Sequence, residues 1–374
     1  MSQREFDELD GYIAERRYLP VAGTLRFSLP EKRLINKSGS SRKRAVYLFP
    51  RDEAWVLKLL TWLLYKYDYA FHPSCFSFRK GYTAKTAFTS ILAVPDLGGK
   101  HVLKADIHDY FNSMPVDGLI ETLAEIITDD PPLLSFLTEF FSEGRAVSDG
   151  VIIEEERGAM AGVPLSAFCA NVYLASLDEH FAAKGIPCFR YSDDILMLCD
   201  SEEQLGECLA ELKEIVAAKG LALNPDKLSV SGPGEPWDYL GFKYRDGRVD
   251  LADATLMKMK GRISRKARAL YRWRLRKGAD YDRTARAMIR KFNRKFYDID
   301  EESEFTWSRW FFPVLTSAEG LKELDAYLIE YIRYLYSGRH YKGNYAVSYE
   351  HIRELGFRSL VHEYYEYRKT GAPR

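Results

Sequence analysis

The chain has 374 residues, enough to bury a large core and to divide into two or three subdomains. Its 54 Lys and Arg balance 54 Asp and Glu, which excludes a protein that is basic over its whole surface. The first residues lack the apolar core of a signal peptide, and the most apolar stretch, residues 54–65, is short and contains Lys58. We therefore expect no membrane-spanning helix and no membrane partner. Five cysteines without CxxC or zinc spacing predict free thiols and a reducing, cytoplasmic location.

After a polar, mixed region at residues 1–40 that ends in a loop-like run, apolar periodicity predicts alternating strands and helices. In chain order they are a strand at residues 45–49, helices at 51–69 and 82–93, a strand at 101–107, a helix at 131–142, a strand at 151–153, a helix at 164–183, a hairpin on the apolar runs 186–189 and 195–198, a helix at 201–219 and a short strand at 221–223. This alternation, with acids at strand ends, is typical of an α+β fold.

The composition changes after residue 254. Between residues 258 and 295, sixteen Lys and Arg stand against two acids, Asp280 and Asp282, and apolar residues recur at helical spacing. The pattern predicts helices with one packed face and one basic face. A charge run is usually a solvated face, but the size of this excess and the aromatic residues within it favour contact with nucleic-acid phosphates. Residues 304–368, rich in Tyr, Leu and Arg, are predicted to be helical throughout.

Two adjacent carboxylates, Asp193 and Asp194, occupy the polar break of the predicted hairpin, directly after Tyr191 and Ser192. Like charges side by side repel, and burying them is costly unless a positive charge lies between them. A divalent cation supplies that charge. Ser and Asp are also common in surface turns that bind no metal, so the tetrapeptide alone leaves both interpretations open.

A third acid, Asp106, follows an apolar strand and precedes aromatic residues. If it faces the hairpin, Asp106, Asp193 and Asp194 form a three-carboxylate cluster. Such a cluster suits two Mg²⁺ ions, with Mn²⁺ as a substitute, because Mg²⁺ prefers oxygen ligands and shares its coordination shell with phosphates. Two ions of this kind activate an attacking hydroxyl and stabilise a leaving oxygen, which predicts in-line displacement at phosphorus.

These residues resemble the motifs of prokaryotic reverse transcriptases related to group II intron and retron enzymes. Residues 191–194, Tyr-Ser-Asp-Asp, are similar to the Tyr-x-Asp-Asp box of the palm, with Ser where Ala is common, and Asp106 with Phe111 is similar to the palm's first acidic motif. The other similar motifs are Arg44 before a strand, Phe-Arg-Lys-Gly at 78–81, Gly-Val-Pro-Leu-Ser at 162–166, Leu-Asn-Pro-Asp-Lys at 223–227 and Tyr-Leu-Gly-Phe at 239–242. Each motif alone is weak, but the set follows the family's order over residues 42–245 and is specific.

The resemblance implies a right-hand polymerase whose palm carries the acids on an antiparallel sheet, followed by an α-helical thumb. It divides the chain into an N-terminal segment with the fingers at residues 1–100, the palm with further fingers elements at 101–250, a basic helical thumb at 251–300 and a helical C-terminal region at 301–374. That last region matches no domain of the family.

The resemblance also implies roles for single residues. Asp106, Asp193 and Asp194 are expected to be catalytic and to bind metal together with the backbone carbonyl of Ile107. The residues expected at the incoming dNTP are Arg79, Lys80, Phe111 (as a gate against a ribose 2′-OH), Ser166 and Lys227. Those expected to bind an RNA–DNA hybrid are Arg265, Lys266, Arg272, Arg274, Arg290 and Arg294. The expected primer grip is Tyr239, Leu240 and Gly241.

We therefore expect an RNA-directed DNA polymerase that adds dNTPs to a primer 3′-OH on an RNA template. The compact form resembles free-standing bacterial reverse transcriptases, several of which act in antiphage defence with a structured non-coding RNA. By this analogy we expect a dedicated non-coding RNA and a defence role. One alternative is a catalytically silent, polymerase-derived RNA-binding scaffold or splicing factor. Another, within the enzyme class, is a template-independent polymerase primed by a protein hydroxyl. The sequence sets no oligomeric state.

Overall fold

The computed structural model describes residues 27–36, 43–155, 158–297 and 306–371. The chain divides into two compact units, Met1–Pro233 and Gly234–Arg374. The predicted loop-like run after Asn36 and most of the polar N-terminal region lie outside the described residues. Among the described helices, none combines the length and the apolar character needed to cross a membrane. All five cysteines are free and buried, which confirms that part of the prediction.

The described elements are numbered in chain order. The strands are β1 (Glu31–Asn36), β2 (Lys43–Leu48), β3 (His101–Asp106), β4 (Arg145–Ser148), β5 (Val151–Glu154), β6 (Cys188–Tyr191), β7 (Asp194–Cys199), β8 (Ser229–Ser231), β9 (Trp237–Tyr239), β10 (Phe242–Arg245) and β11 (Arg248–Leu251). The α-helices are α1 (Arg51–Leu63), α2 (Ala84–Leu92), α3 (Tyr110–Ser113), α4 (Val116–Ile126), α5 (Pro131–Ser142), α6 (Pro164–Tyr173), α7 (Ala175–Ala183), α8 (Glu202–Ala218), α9 (Asp253–Lys277), α10 (Tyr281–Tyr297), α11 (Trp307–Phe311), α12 (Glu319–Ser337), α13 (Tyr349–Glu354) and α14 (Leu360–Thr370). The 3₁₀ helices are Leu64–Ala70, Leu97–Gly99, Pro225–Lys227 and Lys342–Ala346.

The central sheet of the first unit has the strand order β6-β7-β3-β8. Its middle strand β7 is buried from Ile195 to Cys199, which fits a continuous apolar run covered on both faces. Helix α8 packs against β3 and β7, and the apolar residues of α6 belong to the same core. The predicted strand and hairpin are therefore present, and the acids lie at the ends of strands that the core holds in place.

A second sheet in the same unit has the order β2-β1-β4-β5. Its strand β1 was not predicted. The apolar side chains of β1, Leu34 and Ile35, are 59% and 48% exposed, so no buried face marks this segment in the sequence. Pairing holds it instead, because β1 and β2 form an antiparallel ladder from Glu31–Leu48 to Asn36–Lys43.

Three predicted elements differ in their bounds. The helix predicted at residues 164–183 is two helices, α6 and α7, that meet at Leu174 (φ −107°, ψ 12°). No Pro or Gly stands there, so the apolar periodicity runs through the break unmarked. Helix α1 ends at Leu63 and continues as a 3₁₀ helix instead of an α-helix to residue 69. Residues 221–223 form no strand, and Leu223 makes an isolated bridge to Ile107.

The second unit combines a sheet of order β11-β10-β9 with helices α9 to α14. The two long basic helices were predicted, and α12 packs against both. Residues from Trp307 onward are helical wherever they carry regular structure, as predicted. The α+β class is confirmed. The subdomain boundaries at residues 100, 250 and 300 stay predictions, whereas the division between the two units falls after Pro233.

Candidate active site

Strand pairing brings the three predicted acids together. Strands β3 and β7 are antiparallel, and Asp106 lies directly opposite Asp194. One residue further, the N–H of Ile107 donates to the carbonyl of Asp193 over 3.2 Å. Residues directly opposite each other in such a pair have Cβ atoms about 4.5–5.5 Å apart, close enough for their side chains to interact.

The turn that presents Asp193 is strained and anchored. Strands β6 and β7 pair up to Tyr191 and Asp194, which leaves a two-residue turn, and Ser192 has a φ of +62°. Non-glycine residues are uncommon in this region. The N–H of Ser192 donates to Oγ of Ser77 over 2.8 Å, and its carbonyl accepts from Nη1 of Arg190 over 3.4 Å. The main chain of the turn is thus fixed from both sides.

A fully buried ion pair lies beneath the turn. The side chains of Arg190 and Asp178 are both 0% exposed and are joined by bonds of 2.5 Å (Nη2–Oδ2) and 2.8 Å (Nε–Oδ1). Arg190 also donates to the carbonyl of Asn171 over 3.1 Å. Burial disfavours the guanidinium charge, but Asp178 keeps the pKa of Arg190 well above its ordinary value.

Sequence reasoning missed Arg190, Asp178, Asn171 and Ser77. A signal was present, because Arg190 is a cation inside an otherwise apolar strand and Asp178 is an acid inside an apolar helical run. Charged side chains at core positions are almost never fully buried unless they are paired. That rule would have indicated that both residues have partners, although not which ones.

Burial and neighbouring carboxylates raise the pKa of both acids of the hairpin. Burial, then Asp193 and Asp106, raise the pKa of Asp194 to about 7. Burial and then Asp106 also raise the pKa of Asp193. The site therefore resists carrying its full negative charge unless a cation compensates it.

Lys227 supplies one such cation. Its ammonium forms an ion pair with Oδ2 of Asp106, while Nδ2 of Asn224 donates to Oδ1 of Asp106 over 3.3 Å. Burial acts against the lysine charge, but the bond to Asp106 raises the pKa of Lys227 above its ordinary value. The predicted place of Lys227 near a triphosphate stays a prediction. The structure adds that its ammonium contacts the Asp106 carboxylate.

The donor chemistry fits a divalent metal ion. Carboxylate oxygens are the ligands that Mg²⁺ prefers, and a group of partly buried, mutually repelling carboxylates is stabilised by positive charge. Within the described parts of the chain, no three His, Cys, Asp or Glu side chains are already arranged around one ion position. The Asp106 carboxylate contacts the Lys227 ammonium instead.

The nucleotide-binding candidates lie in different settings. Arg79 is 6% exposed, bonded to Asp68 (2.8 Å) and to the carbonyl of His72 (2.9 Å), so its guanidinium is engaged with protein. Lys80, the next residue, is exposed. Ser166 is buried, and its Oγ donates to the carbonyl of Met160 over 2.6 Å. Their roles at a dNTP stay predictions.

Phe111 is half-buried at the start of helix α3, five residues after Asp106. Its ring meets the ring of Phe78 edge-on, with the centroids 6.4 Å apart, and the Arg44 guanidinium carbon lies 5.8 Å from its centroid. Phe78 and Arg44 thus both contact this ring. Its action as a 2′-OH gate stays a prediction.

The family model described as "Reverse transcriptase (RNA-dependent DNA polymerase)" matches residues 35–244, more than half of the chain. The chain belongs to the reverse transcriptase family. This match confirms the polymerase fold that the ordered motifs predicted.

The individual proteins that the chain resembles match it over short segments or at low sequence identity. A Gag-Pro-Pol polyprotein of Squirrel monkey retrovirus is 42% identical over 59 residues, which is 16% of this chain and 3% of the polyprotein. A C-terminally truncated apo telomerase from Candida Tropicalis has a TM-score of 0.47 and 15% identity, and the match covers 66% of this chain and 60% of that chain. A telomerase from Candida albicans in complex with a fragment of telomeric RNA has a TM-score of 0.46 and 13% identity, covering 97% and 70%. The chain thus spans only a small part of the viral polyprotein.

The primer-grip candidates form a tight turn in the second unit. Tyr239 pairs with Phe242, so Leu240 and Gly241 make a two-residue turn with φ values of +50° and +87°. Positive φ at both positions is the signature of a type I′ hairpin turn. Indole Nε1 of Trp310 donates to the carbonyl of Leu240 over 3.3 Å. The role of this turn in a reverse transcriptase stays a prediction.

The basic candidates of the second unit divide into two kinds. Arg265, Arg272, Arg290 and Arg294 are exposed, and Lys266 is half-exposed. Arg274 differs, because its guanidinium contacts the carbonyl of Leu335 and lies 2.8 Å from that of Tyr336, at the end of helix α12. Binding of nucleic-acid phosphates by the exposed group stays a prediction. Arg274 has contacts that stabilise the unit itself.

Proposed function

We propose that this chain is an RNA-directed DNA polymerase that extends a primer 3′-OH with dNTPs. The observation that carries the proposal is the meeting of Asp106, Asp193 and Asp194 at the end of one strand pair. Three partly buried carboxylates in one place fit the binding of Mg²⁺ and a triphosphate, and have no comparable purpose in a protein that only binds RNA.

In this proposal the three acids, with the carbonyl of Ile107, hold two Mg²⁺ ions, for which Mn²⁺ can substitute. Bound metal ions would lower the pKa of the primer hydroxyl and compensate the negative charge of the phosphate. The chain's own residues do the positioning. The Ser192 main chain fixes the direction of the neighbouring carboxylates, and Lys227 keeps its ammonium at the site, where it can meet a phosphate oxygen. Arg79, Lys80 and Ser166 complete the proposed dNTP surface.

We assign the exposed basic face of helices α9 and α10 to the RNA–DNA hybrid, because Lys and Arg give affinity through phosphate neutralisation whatever the sequence. Residues 251–300 are then the thumb, residues 101–250 the palm, residues 1–100 the fingers with the N-terminal segment, and Tyr239, Leu240 and Gly241 the primer grip. Residues 301–374 are a helical region beyond the thumb.

We extend the proposal, by resemblance alone, to a free-standing bacterial enzyme that copies a dedicated non-coding RNA in antiphage defence. Sequencing of the RNA and DNA that co-purify with the protein tests this extension. One dominant structured RNA, with DNA complementary to it, supports it. A broad mixture of cellular RNA contradicts it and leaves the polymerase proposal standing.

The polymerase proposal is tested with the double variant Asp193→Asn/Asp194→Asn. Purified protein with an RNA template, an annealed primer, Mg²⁺ and labelled dNTPs should extend the primer, and the variant should lose at least about a thousandfold in rate. The double variant of two exposed acids at the start of helix α8, Glu202→Gln/Glu203→Gln, is the matched control and should extend normally.

The alternative of a silent RNA-binding scaffold makes an opposite prediction. A scaffold has no reason to bind Mg²⁺ and dNTP together, so isothermal titration should show no dNTP binding that depends on metal. Unchanged primer extension in the Asp193→Asn/Asp194→Asn variant would equally refute the assignment of the acids.

A further inference from the structure

Phe78 has an unusual backbone conformation for a large residue. Its φ is +52°, and its side chain is 42% exposed. For a bulky residue a positive φ is a genuine outlier, and such residues persist only where the surrounding structure fixes them. They cluster at active sites, so the strain at Phe78 calls for a functional explanation.

The residue before Phe78 is held firmly. Ser77 is fully buried, its Oγ donates to Oδ1 of Asn171 over 2.8 Å, and its carbonyl accepts from Nδ2 of Asn171 over 2.6 Å. The same Oγ accepts the N–H of Ser192 in the catalytic turn. Just upstream, the N–H of Phe76 donates to the carbonyl of Arg190 over 2.9 Å. The chain thus enters position 78 attached to the turn that carries the acids.

The residue after Phe78 is held as well. The guanidinium of Arg79 bonds to the Asp68 carboxylate and to the carbonyls of His72 and Cys75. A change to negative φ at Phe78 would displace the buried carbonyl of Ser77 or the anchored side chain of Arg79, at a cost in these hydrogen bonds. The fold maintains the strain and keeps the ring partly in solvent.

The ring of Phe78 is directed at Phe111. The two rings are edge-to-face, with an interplanar angle of 72° and the centroids 6.4 Å apart, a favourable arrangement for aromatic pairs. On Phe111 the Arg44 guanidinium makes a second contact, 5.8 Å from the ring centroid. Two contacts, from two separate segments of the first unit, therefore restrict the position of the Phe111 ring.

We propose that Phe78 is a specificity-determining residue, which together with Phe111 forms the apolar wall that the 2′ position of an incoming nucleotide meets. The proposal rests on the polymerase function proposed above. A ring restricted by such contacts cannot move aside for the 2′-OH of a ribonucleotide. An apolar wall also offers that hydroxyl no hydrogen bond. Without Phe78, the ring of Phe111 has room to yield, and discrimination against ribonucleotides should fall.

Single-nucleotide incorporation tests this proposal, as the ratio of kcat/KM for a dNTP to that for the matching rNTP on one primer and template. The Phe78→Ala variant should lower the ratio by about tenfold, the lower end of what one apolar contact contributes to selectivity. Phe78→Leu keeps apolar bulk and should retain most of the discrimination. Phe78→Gly also removes the strain, so equal losses in the Ala and Gly variants assign the effect to the ring.

The matched control is Tyr69→Ala, which removes another exposed ring, one that also lies 6.4 Å from an aromatic neighbour. It should leave the ratio unchanged. A normal rate with dNTP and an unchanged ratio in both Phe78→Ala and Phe78→Gly overturns the proposal for Phe78. Failure of the wild-type protein to incorporate any dNTP overturns the polymerase proposal instead, so the two failures are distinguishable.

Discussion

The acid-bearing sheet of the first unit and the basic helices of the second use charge in opposite ways. At the sheet the charges are few, and the buried ones are paired: Arg190 with Asp178, and Asp106 with Lys227. On helices α9 and α10 they are many and mostly exposed. A buried charge links function to stability, because removing its partner leaves an uncompensated ion. Exposed charges add small, separate increments of binding.

Each unit also contains one basic residue that departs from this contrast between paired and exposed charges. Arg274 of helix α9 is bonded to backbone carbonyls in the manner of a buried charge. Lys80 of the first unit is exposed, next to the buried Arg79. The contrast therefore depends on the partners of each charge rather than on its position in the chain.

The largest effect is expected from Asp178→Ala. The change leaves the fully buried Arg190 without its carboxylate and should cost about 3–5 kcal/mol in the free energy of unfolding. Urea denaturation followed by circular dichroism measures it. Primer extension should fall as well, since Arg190 also contacts the Ser192 carbonyl.

The matched control for Asp178→Ala is Glu31→Gln, which breaks the exposed pair of Glu31 with Arg33. Exposed pairs are screened by water, so stability should not change measurably. Equal effects of the two substitutions would contradict the distinction between buried and exposed charges.

A pH-dependent effect on stability is expected at Asp194, again because a charged group is buried. In the metal-free protein its pKa is raised from 3.8 to about 7, so the folded state binds this proton more tightly than the unfolded state. The contribution of the protonated Asp194 to the stability of the folded state is complete below pH 3.8. It is lost as the pH rises through 7. Asp194→Asn should therefore become more stable relative to wild type as the pH rises, by roughly 2–3 kcal/mol between pH 5 and pH 8.

Urea denaturation in EDTA at the two pH values measures this difference. Added Mg²⁺ should narrow it at pH 8, because the ion compensates the charge of the wild-type carboxylate. A difference between variant and wild type that stays constant with pH would refute the raised pKa of Asp194.

The two regions also differ in what their sequences reveal. The strand ending at Asp106, the hairpin at Asp193 and the basic helices could be predicted, because periodic burial and turn chemistry are local patterns. The charge partners could not, since Lys227 lies 121 residues from Asp106 and no periodicity marks such a pair. Arg79 shows the same limit: no pattern in the sequence marks Asp68 as the partner of its guanidinium. Its role at a dNTP stays a prediction.

A smaller effect is expected on the basic helices. Arg265→Ala/Arg272→Ala should weaken binding of an RNA–DNA hybrid by about tenfold and reduce the salt slope by about one for each lost phosphate contact. Stability should change by no more than about 0.5 kcal/mol, as for other surface substitutions. Fluorescence anisotropy at several salt concentrations measures the binding.

Arg274→Ala is the control for that pair. It removes the bonds to the carbonyls of Ala279 and Tyr336 and should lower the stability of the protein while leaving the salt slope unchanged. A reduced slope for Arg274→Ala, with unchanged stability, would place this arginine on the nucleic acid.

The smallest effect on primer extension is expected from removing the hydroxyl of Ser192. Oγ of Ser192 is buried and has no hydrogen-bond partner in the described parts of the chain, whereas Oγ of Ser77 bonds to Asn171 and to the N–H of Ser192. Ser192→Ala should therefore raise the free energy of unfolding by up to about 1 kcal/mol, and Ser77→Ala should lower it by about 1–3 kcal/mol. Primer extension should persist in the first variant and fall in the second. Such a result would show that the main chain of residue 192, and not its hydroxyl, holds the carboxylates in place.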